Sequence, residues 1–322
     1  MPDPSTSAEP GPAQRAFLTD LERLAASDAS VLVLGESGSG KSRAARMLHE
    51  QGARREGPLV EVRIAALPPT LVEAELFGHE EGAFTGADRE RLGRVRAADG
   101  GTLVLDGIET MALDQQVKLL RVLQERVVEP LGGAPVPVDV RVVATAGVDL
   151  AEAVAAGDFR EDLYYRLAVV ILRVPPLRSR SSELGGLVSE LSKQVSERVG
   201  VASRSLSPAA LERLRAHPWP GNLRELENAL ERVHVLAPAA GEVSAAEFEF
   251  LGEAVAGAER RLAREALSLG LQAEELTAAM LEEALAEQRG NVSAAARQVG
   301  LSRRAFEYRL KRSGESAEEG DA

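Results

Sequence analysis

The chain has 322 residues, 44% of them hydrophobic, which is enough for two or three domains with sizeable cores. Its formal charge of −12 excludes a generally cationic nucleic-acid coat, so any DNA contact must come from a local basic patch. With no cysteine and four scattered histidines (His49, His79, His217, His234), a disulfide framework, a thiolate metal site and a histidine cluster are excluded as well.

Residues 1–13, rich in Pro, Ser and Gly, read as a disordered N-terminus. No apolar run approaches the ~18 residues of a membrane span, and no basic-then-apolar leader opens the chain, so a soluble cytoplasmic protein is expected. Phe17, Leu18, Leu21, Leu24 and Ala25 recur at helical spacing across 14–27. This helix runs straight into the next strand, so no sensory domain is expected ahead of that strand.

Residues 31–42 read Val-Leu-Val-Leu-Gly-Glu-Ser-Gly-Ser-Gly-Lys-Ser: a short buried strand, a glycine-rich loop and the opening of a helix. The spacing Gly35, four residues, Gly40, Lys41, Ser42 is that of a P-loop. Such a loop turns backbone N–H groups inward around phosphate oxygens, with the helix dipole behind them. The candidate nucleotide-binding residues are therefore Gly35, Glu36, Ser37, Gly38, Ser39, Gly40, Lys41 and Ser42. Lys41 can reach the terminal phosphates and Ser42 can hold Mg²⁺.

A second strand follows at 59–64, then a helix at 71–77 and a loop with glycine near each end, Gly82-Ala83-Phe84-Thr85-Gly86-Ala87. A third apolar strand, 103–106, ends in Asp106, a carboxylate placed to hold Mg²⁺ directly or through water. A helix is expected at 114–124, and a fourth strand at 138–145 with apolar positions alternating around Asp139 and Arg141. Strands alternating with helices predict an α/β fold: a parallel sheet covered on both faces.

From about residue 17 to 237 the chain resembles the AAA+ ATPase domain of bacterial enhancer-binding proteins, the activators of sigma-54 RNA polymerase. Gly82–Ala87 reproduces the GAFTGA loop of that family, which implies contact with sigma-54 at the tip formed by Phe84 and Thr85. The segment Phe-Arg-Glu-Asp-Leu-Tyr-Tyr-Arg-Leu at 159–167 matches the family's arginine-finger segment. By that resemblance Arg160 and Arg166 would reach a neighbouring subunit's site in a ring, a hexamer by family. A finger supplied in trans is worth roughly 10³–10⁵ in rate. The run Trp-Pro-Gly-Asn-Leu-Arg-Glu-Leu-Glu-Asn at 219–228 matches the sensor II motif, where Arg224 would contact the nucleotide and Pro220 would occupy the first helical turn. The expected organisation is an α/β domain at 14–173, a helical lid at 174–237 and a helical linker at 238–275.

Three catalytic positions depart from the family pattern. The magnesium strand normally ends Asp-Glu, the Glu polarising the attacking water, whereas here it is Asp106-Gly107. An Asn that switches this Glu is replaced by Arg63, and the sensor I strand ends Ala146-Gly147 instead of Thr-Asn. General-base help is worth about 10²–10⁴ in rate, so slow hydrolysis with retained ATP binding is expected, unless Glu109 or another carboxylate substitutes.

After the linker, residues 281–288 read as a helix. Asn291 or Ser293 caps a second, Gly300 makes the turn and Ser302 caps a third, running to about 312: a helix-turn-helix. Between Arg289 and Arg312 lie seven Lys or Arg against Glu307 alone, a net +6. The segment is similar to the Fis-type DNA-binding domain, here given bounds of 276–313 and followed by an acidic tail at 314–322. That resemblance lays the third helix in the major groove of a palindromic site read by a dimer. Asn291, Ser302, Arg303, Arg304, Tyr308, Arg309 and Lys311 are its candidate DNA contacts. The whole is expected to be a DNA-bound, ATP- and Mg²⁺-dependent regulator acting on sigma-54 RNA polymerase. The alternative is a hydrolysis-deficient subunit that co-assembles with a competent paralogue or blocks promoter sites.

Overall fold

The four side chains of β1 (Val31–Leu34) are all buried, and they point alternately into two different cores. Leu32 and Leu34 join one cluster, while Val31 and Val33 join another with Phe17, Leu21 and Leu48. A strand covered on both faces has no polar side, which is why this stretch is continuously apolar instead of alternating. In the computed structural model, which describes residues 11–84, 87–147, 150–236, 241–251, 267, 273–288 and 290–318, β1 lies fourth in a five-stranded, wholly parallel sheet. Its order is β2 (Leu59–Arg63), β5 (Thr102–Asp106), β8 (Arg141–Ala146), β1, β9 (Val170–Arg173). Helices α1 (Pro12–Ala25) and α2 (Lys41–Glu50) cover one face; α5 (Leu113–Glu125) and α7 (Glu161–Leu167) contribute to the core on the other.

The expected fourth strand is corrected. Val136–Pro137 pairs antiparallel with Val127–Val128 in a separate hairpin, and β8 starts only at Arg141. Arg141 is not an outward polar position either, being 2% exposed. Its guanidinium donates to the carbonyls of Leu24 (2.7 Å), Leu48 (3.0 Å) and Ala25 (3.3 Å), groups near the C-terminal ends of α1 and α2 that a buried cation satisfies well.

Helices α8 (Leu184–Val199), α9 (Pro208–Ala216) and α10 (Asn222–Leu236) form the all-helical part of the first unit. Pro220 does not sit in the first turn of α10 as expected. Trp219 (φ 52°) and Asn222 (φ 53°) both take left-handed backbone, so Pro220 lies in a turn two residues ahead of the helix. Contacts divide the chain into two units, Met1–Phe248 and Glu249–Ala322. Most of the expected linker, including 252–266, lies outside the described residues, as do 1–10.

In the second unit the helices Ala273–Glu287, Val292–Gln298 and Arg303–Glu318 pack around Leu281, Ala284, Ala295, Ala296 and Phe306. The first begins before the expected boundary, and the third continues into the expected acidic tail. Nothing between Arg303 and Glu318 breaks it, since the stretch lacks proline. Among the described residues no helix is long and apolar enough to cross a membrane.

Candidate functional site

The loop between β1 and α2 is shaped by Gly38 (φ 74°) and Gly40 (φ 106°), conformations that glycine takes without steric cost. Lys41 opens α2 and turns its ammonium back into the loop, donating to the carbonyls of Gly35 (2.7 Å) and Glu36 (3.0 Å). Burial pushes its pKa down, opposed first by the Glu109 carboxylate and then by Asp106. The Ser39 hydroxyl oxygen is buried with no partner, so the loop presents an unused polar atom as well as a cation.

The parallel register sets Asp106, at the end of β5, beside Thr145 of β8. Thr145 Oγ1 donates to Asp106 Oδ1 in a short hydrogen bond, and Oδ2 faces Ser42 Oγ (3.4 Å) and Arg63 Nε (3.7 Å). One hydroxyl and one carboxylate converging beside a phosphate loop match the small protein share that Mg²⁺ takes when phosphates and waters complete its shell. Among the described residues no group of three or more His, Asp or Glu offers an alternative metal cage. Arg63, flagged only as a departure, thus shares the oxygen that faces Ser42.

The all-helical part closes directly onto this loop. Asn222 Nδ2 donates to Glu36 Oε2 (3.0 Å) and to the Ser37 carbonyl (3.1 Å), while its Oδ1 accepts from the Leu177 N–H (2.8 Å). The Leu223 N–H donates to the Gly38 carbonyl at 3.0 Å, and Arg224 Nη1 to Ser37 Oγ at 3.2 Å. A bidentate pair between Arg178 and Glu36 adds to the clasp and, as its largest cause, holds the Glu36 carboxyl below the usual range. All the candidate nucleotide residues, Gly35 to Ser42 with Asp106 and Arg224, are therefore in one place. Asn222 and Thr145 were missed as site residues. Asn222 stood inside a quoted motif, but only its left-handed backbone at the loop gives it this role.

Arg160 stands at the N-cap of the short helix α7 and Arg166 in its last turn, outside these contacts. Arg160 is exposed and makes two hydrogen bonds to Asp162 (3.0 and 2.7 Å). Arg166 donates to the Leu123 carbonyl at 3.3 and 3.1 Å. Buried Gln116, also missed, fixes the start of α7 by accepting from the Arg160 N–H (2.8 Å) and donating to the Met111 and Asp158 carbonyls.

Between β3 (Gly78–His79) and β4 (Arg91–Leu92), the Gly82 N–H donates to the Ala87 carbonyl (2.8 Å) and the Ala87 N–H to the Phe84 carbonyl (3.0 Å). Phe84 stands 40% exposed, its ring edge-on to His79 at 4.9 Å. Reciprocal bonds of Leu131 with Gly78 and Glu80 brace the base of this hairpin, and Ala83 packs near Gly132. Thr85 and Gly86 lie outside the described residues.

In the second unit, Asn291 Oδ1 caps its helix by accepting from the Ala294 N–H (3.2 Å), and Ser302 Oγ does the same with Ala305 (3.2 Å). Arg303, Arg304, Tyr308 and Arg309 are all exposed on the third helix, whose Phe306 is buried, and Arg303 pairs with Glu307 at 2.8 Å. The side chain of Lys311 lies outside the described residues.

Three family models match the chain: Sigma-54 interaction domain over residues 9–173, AAA+ ATPase lid domain over 178–265, and Bacterial regulatory protein, Fis family, over 272–312. The response regulator protein PilR of Pseudomonas aeruginosa is 42% identical, across 94% of this chain and 68% of its own length. The DNA-binding transcriptional regulator NtrC of Rhizobium meliloti is 49% identical, but over 68% of this chain and only 45% of its own length. The C4-dicarboxylate transport regulator DctD of P. aeruginosa is 52% identical over 65% of this chain and 46% of its length, so the chain spans about half of these two relatives. Among solved structures, NtrX of Brucella abortus superposes with a TM-score of 0.71 at 34% identity, covering 94% of this chain and 68% of NtrX. Its complex with ATP gives 0.70 at 33%.

Proposed function

The chain belongs to the family of sigma-54-dependent, DNA-binding transcriptional activators, and on that premise we propose that it binds ATP at residues 35–42 and engages sigma-54 RNA polymerase through Gly82–Ala87 to promote open-complex formation. The observation that carries this reading is the braced hairpin that holds Phe84, a large apolar side chain, out in solvent on the same domain as the phosphate loop. Single exposed hydrophobics are ordinary on a surface, but this one sits at the end of a hairpin braced by backbone bonds to Leu131, where a partner could bury the rest of the ring.

The nucleotide site has its own support. Glycine-shaped loop, half-buried Lys41, Ser42 opposite Asp106 and Arg224 reaching the loop from the lid are the parts a triphosphate needs, and the related NtrX was solved with ATP. Mg²⁺, held by Ser42 and Asp106, would supply charge neutralisation on the β- and γ-phosphates. Because Asn222 and Arg224 bond the loop, a change of nucleotide there is felt by the lid. Arg160 and Arg166, on α7 and outside this cluster, fit a role toward a neighbouring subunit in a ring. The helix-turn-helix would fix the ring upstream of its promoter as a dimer on a palindromic site, with Asn291, Ser302, Arg303, Arg304, Tyr308, Arg309 and Lys311 at the DNA. Work on promoter DNA carries a cytoplasmic location with it.

The test is Phe84→Ala in transcription from a sigma-54 promoter. ATP affinity and DNA affinity should stay within about twofold of the parent while open-complex formation is lost. Promoter output equal to the parent's would sink the loop's proposed role.

A further inference from the structure

Gly107 stands where a general base would directly follow Asp106, and Asp106 itself is engaged on both oxygens by Thr145, Ser42 and Arg63. We propose that Glu109 is the catalytic base that activates water for ATP hydrolysis, held in position by the backbone N–H of Gly147. The assignment rests on the ATP-driven reading above.

The backbone shows how a carboxylate three residues past Asp106 comes back to the site. Gly107 has φ 77° and ψ 47°, a left-handed conformation costly for any residue with a side chain. It turns the chain into a single tight turn, Ile108–Thr110, closed by bonds from the Thr110 N–H (3.1 Å) and hydroxyl (2.8 Å) to the Gly107 carbonyl and anchored by buried Ile108. On this turn Glu109 projects toward the end of β8, where its Oε1 accepts from the Gly147 N–H at 2.9 Å.

Its second oxygen is the informative one. Glu109 Oε2 is shielded from solvent and has no hydrogen-bond partner, and a shielded carboxylate oxygen left unused asks for an explanation. Among the described residues Glu109 makes no ion pair that would fix it as a structural carboxylate. The Glu109 charge, like that of Asp106, favours the Lys41 ammonium, so the carboxylate acts electrostatically on the phosphate loop. Gly147 belongs to the same arrangement. A Cβ there would lie 3.2 Å from Glu109 Oε1, so the missing side chain leaves room for the carboxylate while the N–H orients it. The two glycines that look like catalytic losses become one device, the first turning Glu109 inward and the second receiving it.

In the step proposed, Glu109 Oε2 takes a proton from water as the water oxygen bonds to the γ-phosphorus. The bond from that phosphorus to the β–γ bridging oxygen breaks, and its electron pair leaves with ADP. The products are ADP and inorganic phosphate, and Glu109 returns its proton to solvent. General-base help of this kind is worth about 10²–10⁴ in rate.

The experiment compares the full chain with Glu109→Gln. It measures ATP turnover across protein concentrations that span assembly, and the affinity for a non-hydrolysable ATP analogue. Glutamine keeps the acceptor for the Gly147 N–H and loses only the basic oxygen. Turnover by the parent, with kcat down about 10²–10⁴-fold in the variant and analogue affinity within a few-fold, is the expected result. Gly147→Ala, which crowds the carboxylate without removing it, should lower kcat by less and leave KM nearly unchanged. A Glu109→Gln variant that turns over at the parental rate would overturn the assignment and leave the activator reading standing. A parent that binds the analogue but never hydrolyses ATP would overturn both, in favour of a nucleotide-gated subunit of a mixed assembly. A parent that does not bind the analogue would overturn the nucleotide site itself.

Discussion

A methyl group on Gly38 would lie 2.3 Å from the Gly221 carbonyl oxygen, and the backbone there has φ 74°. Gly38→Ala should therefore push the lid off the phosphate loop, lowering ATP affinity by tenfold or more in direct titration while the sheet stays folded. Gly107 differs, because a methyl there meets only Ala65 Cβ at 3.8 Å and just the left-handed backbone penalises it. Gly107→Ala should cost about 1 kcal/mol in urea unfolding. Asn222 carries the most at this scale. It is fully buried, and its side chain makes three hydrogen bonds. Asn222→Ala strands the buried Leu177 N–H and the Glu36 clasp, a loss of about 2–4 kcal/mol. Trp219, the single tryptophan, is buried beside His217 at the same turn, so its fluorescence reads this change directly.

At the scale of elements, the packing of α8 on α10 contains a polar contact in an apolar seam. Ser192 Oγ and His234 Nε2 are 2.7 Å apart and both residues are buried. Burial, the larger cause, and Arg204 push the His234 pKa below its ordinary 6.5. The unfolded chain then binds the proton more readily than the folded one, so stability is greatest above about pH 6.5 and falls as the pH drops through that value. A thermal melt followed by Trp219 should move to lower temperature between pH 7.5 and 5.5, and His234→Gln should flatten that dependence. An equally steep profile in the variant would assign the effect to another group. Glu36 acts in the same direction at lower pH, since its depressed carboxyl supports the clasp above the ordinary carboxylate range and releases it as the pH falls through the folded value.

Across the molecule, an overall charge of −12 coexists with a net +6 between Arg289 and Arg312. The acidic remainder disfavours indiscriminate binding to nucleic acid, and the basic segment supplies the local attraction. DNA affinity should fall linearly in log–log form as salt rises, and each lost phosphate contact should lower the slope by about 1. Arg304→Ala reduces the slope if that side chain grips phosphate. It relaxes sequence preference at one position if it reads a base. A fluorescence-anisotropy series over salt separates the two.

Local order decided what the sequence could determine alone. Residues 31–42 specify strand, loop and helix through composition over a dozen positions. The small-residue helix at 292–298 and the capped helix after Ser302 are equally local, so the sheet, the phosphate loop and the DNA reader are legible without coordinates. The tertiary structure decided whatever depends on partners far along the chain or on a single backbone angle. Arg141 looked like an outward polar position until two helix ends converged on it. Asn222 became part of the site only by meeting a loop 185 residues away. Glu109, three residues beyond Asp106, had no reason in sequence to face the site. Gly107's left-handed turn and a bond to Gly147, 38 residues on, aim it there, and spacing alone does not encode the direction in which a side chain leaves a turn.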